Sequence, residues 1–101
     1  MAKGTLILTT NGGERKMSYS LVEGTYYMAT KSNSNKIEQI NKDNQVSIDL
    51  DDKTYTAELI AKDSDLFAST KQTYLSTMGG FQAFLYKNMF GKKNDMFIIL
   101  K

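Results

Sequence analysis

Asn11-Gly12-Gly13 lies between two segments of alternating polarity, and few local patterns restrict the folding of a short chain more strongly. An Asn-Gly pair supplies the positive φ angles that a tight hairpin turn requires, so the flanking segments are expected to pair antiparallel. Residues 5–10 before it are β-branched and apolar. After it, residues 16–22 put Met17, Tyr19 and Leu21 on one face and Lys16, Ser18 and Ser20 on the other, the pattern of a half-buried strand. Glu23-Gly24 then turns the chain into a third strand, residues 25–31. There Tyr26, Met28 and Thr30 share one face against Thr25, Tyr27 and Ala29, and apolar bulk on both faces predicts that both are covered.

A short helix is expected from about Asn35 to Lys42, with Ile37 and Ile40 three apart on one side. Residues 45–50 alternate Val46, Ile48 and Leu50 with Ser47 and Asp49. Asp51-Asp52-Lys53 then reverses the chain into residues 54–61, where Tyr55, Ala57, Leu59 and Ala61 share a face. Asp63-Ser64-Asp65 signals a helix start. From Leu66 an apolar stripe of Leu66, Phe67, Tyr74, Leu75, Met78, Phe81, Phe84, Leu85 and Met89 recurs at helical spacing, with a break at Gly79-Gly80. Such a stripe is read as core or dimer interface rather than a cofactor box. The last apolar run, Met96–Leu100, has to be buried and is expected to pair inside the sheet. The fold class is therefore mainly β: one domain over residues 1–101, about six antiparallel strands closed into a small barrel, with a short helix after strand 3 and a longer helical segment before the last strand.

The 101 residues include no cysteine, histidine, proline or tryptophan. That excludes a disulfide, a thiol nucleophile, a Cys or His zinc site and a catalytic histidine. Chemistry must come from a bound cofactor or from Lys, Tyr and carboxylates. The net charge of +2 is spread over lysines interspersed with Asp and Glu, which argues against a nucleic-acid partner. No apolar run is long enough for a membrane-spanning helix and the N-terminus lacks a signal-peptide core, so a cytoplasmic location is the expectation.

The stretch from Gly24 to Lys36 carries the functional signal, because an aromatic strand empties through hydroxyl and amide residues into a helix start. Thr30, Ser34 and Asn35 offer donors, and Lys31 and Lys36 offer charge. The helix N-terminus adds free N–H groups and the positive end of its dipole. One reading is a phosphate seat. The other is a simple N-cap, with Ser34 or Asn35 capping and Glu38 completing a capping-box-like pair.

Taken in order, these segments resemble the pyridoxamine 5′-phosphate oxidase-like family of flavin-binding split barrels. The likeness rests on the N-terminal hairpin, the Gly24-Thr-Tyr-Tyr-Met-Ala-Thr30 strand, Ser34-Asn-Lys36 opening a short helix with Ile37 and Ile40, and the polar turn Lys42-Asp-Asn44 before residues 46–50. It spans residues 5–62, and residues 66–100 agree in element order. The resemblance implies FMN bound at a homodimer interface. Thr30 matches the strand-end threonine, and Ser34 and Lys36 match the Ser-x-Lys at the helix start. Tyr27, Met28 and Ala29 would run their backbone beside the isoalloxazine ring, and Lys16 would reach the phosphate. Asn35 stands where many members carry arginine, which removes a bidentate phosphate contact, and Gln45 replaces a usual proline.

The chain also lacks the His and Arg residues that the vitamin B6 oxidases use near their substrate, so that reaction is not expected. The resemblance instead implies an FMN-dependent oxidoreductase that exchanges electrons with a small-molecule donor or acceptor. Two alternatives stand beside it: a flavin, deazaflavin or haem carrier or sensor without turnover, and a barrel binding single-stranded nucleic acid through Tyr19, Tyr26 and Tyr27.

Overall fold

The computed structural model describes residues 2–10, 12–31, 35–77 and 96–101, with Asn35 and Lys36 described by their main chain alone. Six strands form a closed antiparallel barrel. They are β1 (Ala2–Thr10), β2 (Gly13–Val22), β3 (Thr25–Thr30), β4 (Gln45–Ile48), β5 (Thr54–Ala61) and β6 (Met96–Leu100), and they run round the barrel in the order β1-β2-β3-β6-β5-β4. Helix α1 (Asn35–Lys42) follows β3 and helix α2 (Phe67–Leu75) follows β5. No helix among the described residues is long and apolar enough to cross a membrane.

Alternation builds the interior. Leu6 and Leu8 of β1, Met17 of β2, Met28 of β3, Val46 and Ile48 of β4, Ala57 of β5, and Ile98 and Leu100 of β6 all point inward and are buried. Ile37 and Ile40 of α1 join this cluster, so the short helix is seated by its two isoleucines. Gly12 fixes the seat from the other side. A Cβ there would meet the Gln39 side chain at 2.5 Å, so the hairpin turn lies close against α1, and a larger residue at this position would displace Gln39. As expected, β6 is an interior strand: it pairs with β3 on one side and β5 on the other.

A second layer covers part of the outer surface. Ile60, Phe97 and Ile99 face outward and pack with Tyr74 of α2, together with Tyr27, Ala29, Phe67 and Leu75. Phe97 is the centre of this layer, its ring 5.2 Å from that of Phe67 and 5.5 Å from that of Tyr74. Both faces of β3 are covered, as its composition predicted.

Two residues depart from the expected pattern. Leu50, placed inward with Val46 and Ile48 by alternation, is 47% exposed. The Asp49 carboxylate accepts the Ile7 N–H at 2.7 Å, and the Asp49 N–H donates to the Ile7 carbonyl. β4 therefore ends at Ile48, and the chain turns before Leu50 can enter the core. Leu66, first in the helical stripe, is 54% exposed because the helix begins only at Phe67. Its approach is held by Ser64, whose hydroxyl accepts the Leu66 N–H. The remainder of the stripe from Met78 to Met89, and the Gly79-Gly80 break, lie outside the described residues.

Candidate functional site

The residues singled out from the sequence converge on one end of the barrel. β3 ends there, β2 begins there, and α1 closes it. Thr30 is the last residue of β3, paired with Met96 and 3% exposed. Its Oγ1 is buried and has no hydrogen-bond partner among the described residues, which is costly for a hydroxyl removed from water. Lys31 follows and is exposed. α1 then starts at Asn35, as the sequence predicted, with Glu38 in its first turn. Ser34 and the side chains of Asn35 and Lys36 lie outside the described residues.

The β2–β3 ladder is short. It runs only from Val22↔Thr25 to Ser20↔Tyr27, although β2 continues back to Gly13. Met28, Ala29 and Thr30 consequently have β6 on one side and no strand partner on the β2 side among the described residues. The barrel is closed by the three pairs of this ladder, and the β3 edge beyond them is open. Of the three residues predicted to run beside a flavin, Tyr27 lies within both ladders, and Met28 and Ala29 lie on the open stretch. The Met28 side chain fills the barrel core, and the half-buried Tyr27 and Ala29 side chains pack in the α2 layer.

Lys16 and Arg15 are exposed near the start of β2, at the same end as Thr30. Glu14 and Glu38 are among the acidic residues there, so the end is basic only in part. A hollow of about 450 Å³ lies at the other end of α1, lined by Ile40, Asn41, Lys42, Asp43, Asn44, Ala57 and Leu59. The helix presents carbonyl groups on that side, the wrong polarity for a phosphate, so the hollow is not the anion seat.

The opposite mouth of the barrel is plugged by tyrosines. Tyr26 meets Tyr19 edge to face at 5.2 Å and Tyr55 at 5.9 Å. The Tyr19 tip is packed so tightly on β1 that a Cβ at Gly4 would lie 3.1 Å from its hydroxyl. Tyr55 donates to Asp51 at 2.6 Å, which pushes the phenol up to about 12 and holds the carboxyl below its usual range. Burial raises Tyr26. With Tyr19 and Tyr26 packed on each other and Tyr27 in the α2 layer, these rings do not form the open stacking platform that a nucleic-acid-binding barrel needs.

Ser20 carries an interaction that the alternation pattern did not reveal. Counted with the solvent face of β2, it is fully buried, donating to the Tyr74 carbonyl at 2.6 Å and lying 2.7 Å from the Thr77 hydroxyl. It ties the end of α2 to the barrel where the β2–β3 ladder stops.

No family model matches this sequence, and no curated protein does. Among solved structures the fold is similar to that of the "conserved hypothetical protein Rv2991 from Mycobacterium tuberculosis", with a TM-score of 0.62 and 17% identity over 100% of this chain and 72% of that one. At that identity the likeness establishes a shared barrel architecture.

Proposed function

We propose that this chain is an FMN-binding barrel, acting as a homodimer in flavin-dependent electron transfer. The observation that carries the reading is the Thr30 hydroxyl, a buried donor without an acceptor among the described residues, at the strand end that leads into the start of α1. A phosphate oxygen is an acceptor of the right kind. It would also draw on the free N–H groups of the helix start, with Lys31 and Lys36 neutralising its charge and Ser34 and Asn35 adding hydrogen bonds; Lys16, beside Ile7 on the outer face of β1 and β2, does not belong to this set.

The residues present fit that group, with one reduction: Asn35 gives a weaker contact than an arginine would. Bound FMN would supply hydride and single-electron chemistry. The chain's own part is placement. Thr30 donates to the phosphate, and the main chain of residues 28–30, open on the β2 side, offers polar groups to the edge of a flat ring. The groups with displaced pKa values, Tyr26, Asp51, Tyr55 and Tyr74, lie at the opposite mouth or under α2.

The test is FMN titration of the Ser34→Ala/Lys36→Ala variant. Each lost contact to a charged phosphate should cost on the order of 1.5–3 kcal/mol. Unchanged FMN affinity would remove the site assignment. Reduction of bound flavin by a nicotinamide, followed by reoxidation with a generic acceptor, separates an oxidoreductase from a carrier.

A further inference from the structure

Among the described residues α2 covers the outer surface of β3, β5, β6 and the end of β2, and leaves the outer surface of β1, β4 and the first half of β2 with nothing on it. One row across that bare face has an ordered character. Lys16 of β2 pairs with Ile7 of β1. On the other side of Ile7, continuing the β1–β4 register by one step, lies Asp49, which exchanges hydrogen bonds with the Ile7 main chain. The row therefore reads cation, exposed aliphatic, anion. Ile7 is 37% exposed, and Lys16 and Asp49 are exposed. The ion pair between Lys101 and Glu58 is the one among the described residues, so neither Lys16 nor Asp49 has an opposite charge within its own described chain.

Such a row is complementary to itself. If a second copy is laid face to face about a two-fold axis parallel to β1, left and right exchange within the row, so that Lys16 of each copy comes over Asp49 of the other and the two Ile7 side chains meet on the axis. The neighbouring rows raise no conflict: Thr9 and Thr5 lie on the axis, and Glu14 comes over Ser47. Lys3, farther along β1, would face its own equivalent, but two twisted barrel surfaces diverge away from their central contact and leave it at the rim.

We infer that the homodimer forms through this face, with a second copy of the chain as its occupant and reciprocal Lys16–Asp49 pairs setting its register. The inference rests on the homodimer of the proposed function and adds the surface.

Native mass spectrometry and light scattering on Lys16→Glu, Asp49→Lys and their mixture test it. Wild type should run at twice the 11.4 kDa of one chain. Each variant alone places like charges in both pairs and should fall to the single-chain mass. An equimolar mixture restores both pairs and should return to the doubled mass as a heterodimer. Ile7→Glu, which brings two like charges together on the axis, should be monomeric. Circular dichroism of each variant separates lost pairing from lost folding, and a mixture that re-forms a dimer shows that its components were folded. Variants that stay dimeric alone, or a mixture that stays monomeric, would overturn the assignment of this face. A monomeric wild type would overturn the homodimer with it. FMN titration of the same wild-type sample reports separately on the flavin reading.

Discussion

Replacing Thr30 by Val should make the free protein more stable and the flavin complex weaker. Thr30 is 3% exposed, and its buried hydroxyl finds no partner among the described residues. On the scale of mutations in proteins, an unpaired buried hydroxyl costs about 1–3 kcal/mol. Valine keeps the branched shape and replaces that hydroxyl with a methyl group, which itself gains from burial. The cost is thus recovered, and the free variant should gain about 1–3 kcal/mol. With a urea slope of roughly 1–1.5 kcal/mol/M for a domain of this size, the unfolding midpoint should rise by roughly 0.7–3 M. In the complex the same change removes a hydrogen bond to a charged oxygen, worth about 1.5–3 kcal/mol, or roughly 10- to 150-fold in Kd. Urea unfolding of the free protein and fluorescence titration with FMN read the two effects, with Thr30→Ser as the variant that keeps the donor. A less stable Thr30→Val protein would mean that the hydroxyl has an acceptor already. A more stable one with unaltered FMN affinity would mean that its missing acceptor is not the phosphate.

Three further outcomes follow from the geometry. Ser20→Ala removes the buried donor to the Tyr74 carbonyl and should cost about 1–3 kcal/mol, measured by urea unfolding; an effect near zero would mean that α2 is held without it. Glu23 sits at φ 51° beside Gly24 at φ 80°, a turn that favours Asn-Gly, so Glu23→Asn should stabilise by about 0.5–1 kcal/mol, read as a raised Tm. Tyr55 is raised from 10.0 to about 12 by its bond to Asp51. A raised folded-state value contributes stability that is complete below pH 10 and is lost as pH climbs through 12. The lowered Asp51 carboxyl contributes stability present above its unfolded value and lost as pH falls through the folded one. Tyr55→Phe should flatten the alkaline limb of a stability profile, and an unaltered limb would place the phenol elsewhere.

Strands with one wet face were legible in the sequence because period-two alternation marks the inner side directly: Met17 and Tyr19, Val46 and Ile48, Tyr55 and Ala57 all face inward as read. α1 was legible to the residue, since two isoleucines three apart followed by a polar turn leave little choice. The α2 layer was not. Ser20 and Thr70 look like surface residues in one dimension and are buried only because α2 docks on the barrel, Ser20 beneath the helix and Thr70 on the helix itself, and Ile60 reads as an interruption of the β5 pattern when it belongs to the second layer. Leu50 failed for a different reason, since a side-chain bond from Asp49 ended the strand early.

The candidate site divides in the same way. Thr30 could be placed at a strand end from local text, but its want of a partner depends on what β6, α1 and the barrel core bring around it. Nor does local text show that the β2–β3 ladder stops at Ser20 and Tyr27, because register length is set by how β2 bends to close the barrel.

The central claim is that the strand end and helix start hold a flavin phosphate, and the most direct measurement is the identity of what the purified protein carries. The chain should be yellow as isolated, or turn yellow with one FMN per protomer when the free protein is titrated, and denaturation should release a chromophore with the mass of FMN. A colourless protein that takes up no FMN, with Thr30→Val no different from wild type in that titration, would contradict it.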